Sequence, residues 1–160
     1  MQTIRRLMWE SSAMEDELDR QIIRRLSEDG RAVFADIARE TGLSTSALHQ
    51  RVKRLEARGV IKGYRATISR EEIGQPLTAF VSLTPTDPVV SDNIPQLLED
   101  IAEVESCWSV AGAESYILKV NVATPLDLET LLSRIRTTAQ VATRTTIVLS
   151  TSFEDRPPAL

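Results

Sequence analysis

Six basic side chains crowd the stretch from 44 to 65: Arg51, Lys53, Arg54, Arg58, Lys62 and Arg65, opposed by one acid, Glu56. If residues 45–58 are wound at about 3.6 residues per turn, Leu48, Val52 and Leu55 form a buried stripe. Ser46, Gln50 and Lys53 then lie opposite, with His49 and Arg54 on the flanks. A polar, donor-rich face on a pinned helix is what reading base edges in a major groove requires. Clustered cations nearby would displace counterions from phosphates and supply sequence-independent affinity. Ser44 and Thr45 sit at the front of this helix. Lys62, Tyr64 and Arg65 follow it, placed for contacts to the nucleic-acid backbone. Arg51 falls near the buried edge and is read two ways, as a phosphate contact or as half of a structural ion pair. His49 is either a contact or a plain exposed side chain.

Other chemistries lack their residues. His49 is the only histidine and has no catalytic partner in the sequence. Cys107, the only cysteine, reads as a small core-facing residue. No metal-ligand cluster, glycine-rich phosphate loop or Ser/His/Asp set is present, so neither an enzyme nor a cofactor or metal is expected.

The elements that must hold the polar face are legible. Glu15, Asp16 and Glu17 crowd the front of a helix spanning 15–28, with Leu18, Ile22, Ile23 and Leu26 as its apolar stripe. Asp29-Gly30 ends it. A short helix over 33–41 turns Phe34, Ile37 and Ala38 inward. Gly42 stops it by accepting a positive φ, Leu43 plugs the core, and Ser44 caps the third helix. A helix-turn-helix follows. Residues 60–68 suggest strand, turn at Lys62-Gly63, and strand: a wing.

After Ile73-Gly74-Gln75-Pro76 the pattern changes to β-α-β-β-α-β. Strands are expected over 77–84, 104–111, 116–122 and 141–150. Helices are expected over 93–103 and 127–137. This is the split, ferredoxin-like order. The fold class is α+β, with boundaries at 1–14 (an arm, whether docking piece or frayed end), 15–70 (winged helix-turn-helix), 71–76 (linker), 77–153 (second domain) and 154–160 (a loose tail with Arg156-Pro157-Pro158).

Composition agrees. The 160 residues are 42% hydrophobic and 26% charged, ordinary for a globular chain. Small cores invite burial through self-association. Only 4% is aromatic, which argues against a large aromatic-lined pocket. The net charge of −4 divides into +1 for residues 1–14, +3 for 15–70 and −8 for 71–160. The basic front faces a polyanion and the acidic back does not. No apolar run spans a bilayer, no secretory leader is visible, and one cysteine forbids an internal disulfide, so the cytoplasm is expected, with no membrane partner.

The motifs resemble those of a known family. Leu18-Asp19-Arg20-Gln21-Ile22-Ile23 is similar to the opening of the Lrp/AsnC feast/famine regulators. Ile37-Ala38 through Gly42-Leu43-Ser44 resembles their helix-turn-helix. Arg51-Val52-Lys53-Arg54-Leu55-Glu56 and Gly59-Val60-Ile61-Lys62-Gly63-Tyr64 resemble the segment that follows. The likeness runs from about 15 to 153. It implies that the second domain is a RAM domain, which senses amino acids and assembles the protein. Its sheets would pair into dimers, with higher oligomers such as octamers wrapping double-stranded DNA. An amino acid would bind where dimers meet, at the turn Gly112-Ala113-Glu114-Ser115-Tyr116. The family's turn reads Gly-Asp-Tyr-Asp, so both aspartates are missing here. An α-ammonium group wants a carboxylate, which Glu114 supplies only if it turns inward. Thr145 and Thr146 are a second candidate wall. Three functions are therefore carried forward: an amino-acid-responsive transcription regulator, an effector-independent architectural DNA-binding protein, and a small-molecule-binding enzyme subunit.

Overall fold

The computed structural model describes residues 17–86 and 93–160. The expected arm, Glu15 and Asp16 lie outside the described residues. Two compact units form. One comprises the described residues up to Thr67 together with Phe153–Leu160; the other is Ile68–Ser152.

The first unit holds α1 (Glu17–Glu28), α2 (Phe34–Thr41) and α3 (Thr45–Ala57). Glu17 and Asp19 open α1 and Arg25 closes it, as the helix dipole favours. Ile22, Leu26, Ile37, Ala38, Leu48, Val52 and Leu55 are buried together, with Ile23, Phe34 and Leu43 packed against them. Each large side chain so buried contributes about 1.5–3 kcal/mol. Gly42 ends α2 at φ 69°, in the left-handed region. That turn lets the Leu43 N–H reach the Ala38 carbonyl at 2.9 Å. The Ser44 hydroxyl accepts from the Ala47 N–H at 3.2 Å, capping α3.

The two wing strands do not form: residues 62–69 carry no strand. The Val60 and Ile61 N–H groups both donate to the Leu55 carbonyl, at 2.9 and 3.2 Å, finishing α3 instead of starting a ladder. An isolated two-stranded hairpin is marginal in water, and here its first strand is already committed.

The second unit is a four-stranded sheet in the order β2-β3-β1-β4. Its elements are β1 (Leu77–Pro85), α4 (Ile94–Leu98), β2 (Val104–Ser109), β3 (Tyr116–Val122), α5 (Pro125–Ala139) and β4 (Val141–Ile147). All pairings are antiparallel, giving the ferredoxin-like layout. Ala79, Val81, Leu83, Leu118 and Val120 face Ile94, Leu98, Leu131 and Ile135 in one core. The other sheet face carries Phe80 and Trp108, 38% and 46% exposed.

Both helices depart from their expected limits. α4 has five residues; Ile101 closes it through a tighter bond from its N–H to the Leu98 carbonyl, at 3.1 Å. β2 starts at Val104, which leaves no room for another α turn. α5 begins earlier, at Pro125, because Thr124 caps it, its hydroxyl accepting from the Asp127 N–H at 3.2 Å. The tail, expected to be loose, groups with the first unit. Arg24 Nη2 donates to the Leu160 carbonyl at 3.1 Å, and Arg156 stacks 3.8 Å from the Phe153 ring centroid.

Candidate nucleic-acid interface and effector loop

α3 displays the arrangement its spacing demanded. Leu48, Val52 and Leu55 are 0–2% exposed, so the helix cannot rotate without losing its core. Ser46, His49, Gln50, Lys53 and Arg54 are all exposed. Ser44 and Thr45 are exposed at the front, and the hydroxyls of Ser44 and Ser46 lie 3.1 Å apart. His49 is not bare: its ring packs against that of Phe34, with centroids 4.7 Å apart and planes at 54°.

Arg51 leaves the group. Its Nη1 donates to Asp19 Oδ1 at 2.7 Å, with the two side chains 21% and 14% exposed. Of the two readings of Arg51, the ion pair is the one formed. Lys62, Tyr64 and Arg65 are exposed on the chain leaving α3, which carries no strand. The Tyr64 hydroxyl donates to Glu56 Oε1 at 3.1 Å. Burial, that hydrogen bond and the Glu56 charge all raise the phenol's pKa above its ordinary value. Tyr64 is thereby tied to the end of α3.

The candidate effector loop is held by its backbone. The Val110 N–H donates to the Ser115 carbonyl, and the Ser115 N–H to the Leu83 carbonyl, both at 3.0 Å. These bonds pin the loop to the sheet through its backbone. Tyr116 pairs with Leu83 and packs against the core. Gly112 is not required by the turn. Its φ is not in the left-handed region, and a Cβ there would meet nothing within 4 Å. Ala113 is exposed. The Glu114 side chain is 19% exposed and is held by Arg144 of β4.

Thr145 and Thr146 cannot both line one pocket. Adjacent strand residues face opposite ways: Thr145 pairs with Val81 on the core side, Thr146 with Phe80 on the open side. The β4 residue that reaches the loop is Arg144, which sequence reasoning missed. Its signal was a single cation within a run of threonines. Cys107 also corrects the sequence reading. It is exposed, on the edge strand of the sheet, although partial burial pushes its thiol pKa up. Among the described residues, no His/Cys/Asp/Glu group could hold a metal, and no helix is long and apolar enough to cross a membrane.

Comparison with known proteins agrees with this geometry. Residues 16–56 match the AsnC-type helix-turn-helix domain, and residues 78–158 the Lrp/AsnC ligand binding domain. The chain is 55% identical over 141 residues to the HTH-type transcriptional regulator LrpA of Mycobacterium tuberculosis, covering 88% of this chain and 94% of that one. It is 33% identical to the leucine-responsive regulatory protein of Haemophilus influenzae, over 84% of this chain and 83% of that one. A feast or famine regulatory protein from M. tuberculosis, complexed with L-methionine, superposes with a TM-score of 0.86 at 54% identity. That match covers 89% of this chain and 99% of that one. These relatives are regulators of transcription, not enzymes. With a helix-turn-helix in one unit and a βαββαβ ligand binding domain in the other, the chain belongs to the Lrp/AsnC family of transcriptional regulators.

Proposed function

We propose that this regulator binds specific double-stranded DNA sequences through Ser46, Gln50 and Lys53, and that an amino acid bound between dimers modulates its DNA affinity or assembly. The observation that carries the DNA half is the pinned α3: its apolar side is buried and its polar side is exposed. Ser44, Thr45, His49 and Arg54 border the contact, and Lys62, Tyr64 and Arg65 extend it to the phosphates. Arg51 braces α3 from behind. The self-association half is supported by the open sheet face with Phe80 and Trp108, which a second copy would cover. Higher assembly, up to an octamer, follows the family pattern.

Glu114 and Arg144 are the charged groups at the effector loop. An amino-acid zwitterion carries the complementary pair, an ammonium for Glu114 and a carboxylate for Arg144. Gly112, Ala113, Ser115 and Tyr116 then supply the loop's shape, and Thr146 the open-face flank. The relative complexed with L-methionine makes methionine the first amino acid to try.

A second reading is an effector-independent architectural DNA-binding protein. It is favoured by one observation: Glu114 and Arg144 already neutralise each other. Calorimetric titration with each of the twenty amino acids, followed by duplex binding with and without any that give heat, separates the readings. Heat from none of them would leave the architectural role standing.

A further inference from the structure

The segment expected to be the linker forms an ordered turn fastened to the sheet. The Ile73 N–H donates to the Ser69 carbonyl at 3.3 Å, Gly74 to Glu71 at 3.0 Å and Gln75 to Arg70 at 2.8 Å. Gly74 closes the turn at φ 76°, a conformation that costs glycine nothing. Arg70 faces two ways from this turn. Its Nη1 donates to Gln75 Oε1 at 3.2 Å, within the turn. Its Nη2 donates to Glu105 Oε2 at 2.9 Å, on β2.

Glu105 is aimed there by a defect in the ladder. Val104 pairs with Val120 and Ser106 with Lys119, so Glu105 is the extra residue of a β-bulge. Bulges redirect a side chain at the expense of local pairing. The redirected carboxylate accepts from Asn121 Nδ2 at 2.6 Å and meets Lys119 Nζ at 3.3 Å. Asn121, the buried polar side chain of this sheet at 2% exposure, also accepts from the Thr78 hydroxyl at 2.9 Å. One connected network thus joins β1, β2 and β3 to the turn. A fully satisfied network in a partly dry setting is stiff.

We propose that Arg70 is a positioning residue. By clamping the 69–75 turn to Glu105, it fixes the point from which the chain leaves the ligand-binding unit, and so sets which half-site spacing the assembled regulator accepts. The spacing half rests on the DNA-binding reading above; the clamp itself does not.

The test uses the full chain with Arg70→Gln and, separately, Glu105→Gln. Amide exchange is followed at residues 69–76 and in β3, with oligomeric state checked by sedimentation. Duplexes selected from a random pool by the unaltered chain are then rebuilt with the half-site spacing varied. Both variants should exchange about tenfold faster across 69–76; Arg70→Gln should leave β3 unchanged, whereas Glu105→Gln also loosens β3, because that carboxylate holds Asn121 and Lys119. Both should flatten the spacing preference about fivefold while keeping affinity for a single half-site. Unchanged exchange, or faster exchange with the spacing preference intact, overturns the proposal. So does loss of assembly in both variants, since the network would then serve contact between copies. If the unaltered chain binds no duplex, the DNA-binding reading is what fails, and the exchange result still judges the clamp.

Discussion

Arg51 of α3 and Asp19 of α1 form an ion pair at 2.7 Å, with side chains 21% and 14% exposed. The pair bridges two of the three helices that fix the exposed polar face of α3. Removing Arg51 leaves the Asp19 carboxylate mostly buried without this counter-charge. Arg51→Ala should therefore destabilise the first unit by about 1–3 kcal/mol, measured by urea unfolding. Asp19→Ala should cost about as much, and the double variant little more. The dependence of DNA affinity on salt should not change. A shallower salt slope in Arg51→Ala would return Arg51 to the phosphate contacts.

Gln50→Ala and Lys53→Ala should each relax base preference at one position, at a cost of about 1–3 kcal/mol for the preferred site. Selection from randomised duplexes reads this directly. A Gln50→Ala protein that selects the original site would show that this side of α3 does not face the bases.

Lys62→Ala should act otherwise. It should weaken binding to all duplexes alike and reduce the slope of log affinity against log salt by about 0.9. The chain around Lys62 carries no helix or strand to hold a base-reading side chain, so a changed sequence preference would contradict this placement.

Glu105 gives a pH prediction. Burial pushes its carboxyl pKa up, but the Asn121 hydrogen bond, the charge and hydrogen bond of Lys119 and the Arg70 charge outweigh it, and the net shift is downward. A carboxyl depressed on folding favours the folded state above its unfolded pKa, about 4.3. That contribution fades as pH falls through the lower folded value. Thermal stability of the unaltered chain should thus decline on acidification through this window more steeply than that of Glu105→Gln. Parallel curves for the two proteins would show that the carboxylate gains nothing from its partners.

Gly112→Asp separates fold from ligand. Because a Cβ at 112 meets nothing within 4 Å, the melting temperature should stay unchanged while any effector response of DNA binding is lost. A normal response would remove the loop from the effector site.

The elements that depend on local rules were legible. Ser44 as a cap, Gly42 in the left-handed turn and the stripe Leu48-Val52-Leu55 all follow from the chain's own spacing. So does the strand order, once the β-α-β-β-α-β alternation is read. What escaped depended on distant partners. Arg144 reaches Glu114 across strands, and Arg70 meets Glu105 only because a bulge turns that carboxylate. The wing failed because the Leu55 carbonyl captured the N–H groups of Val60 and Ile61, a competition that periodicity does not register. Thr145 and Thr146 were paired by proximity in sequence, where the pleat separates them.

Phe80 and Trp108 stand partly bare on the open face of an antiparallel sheet. If a second copy covers them, heat resistance becomes a property of the amount of protein present. Diluting the sample below its dissociation constant should lower the melting point by mass action. Trp108 fluorescence should shift to the red at the same dilution, as water reaches the indole.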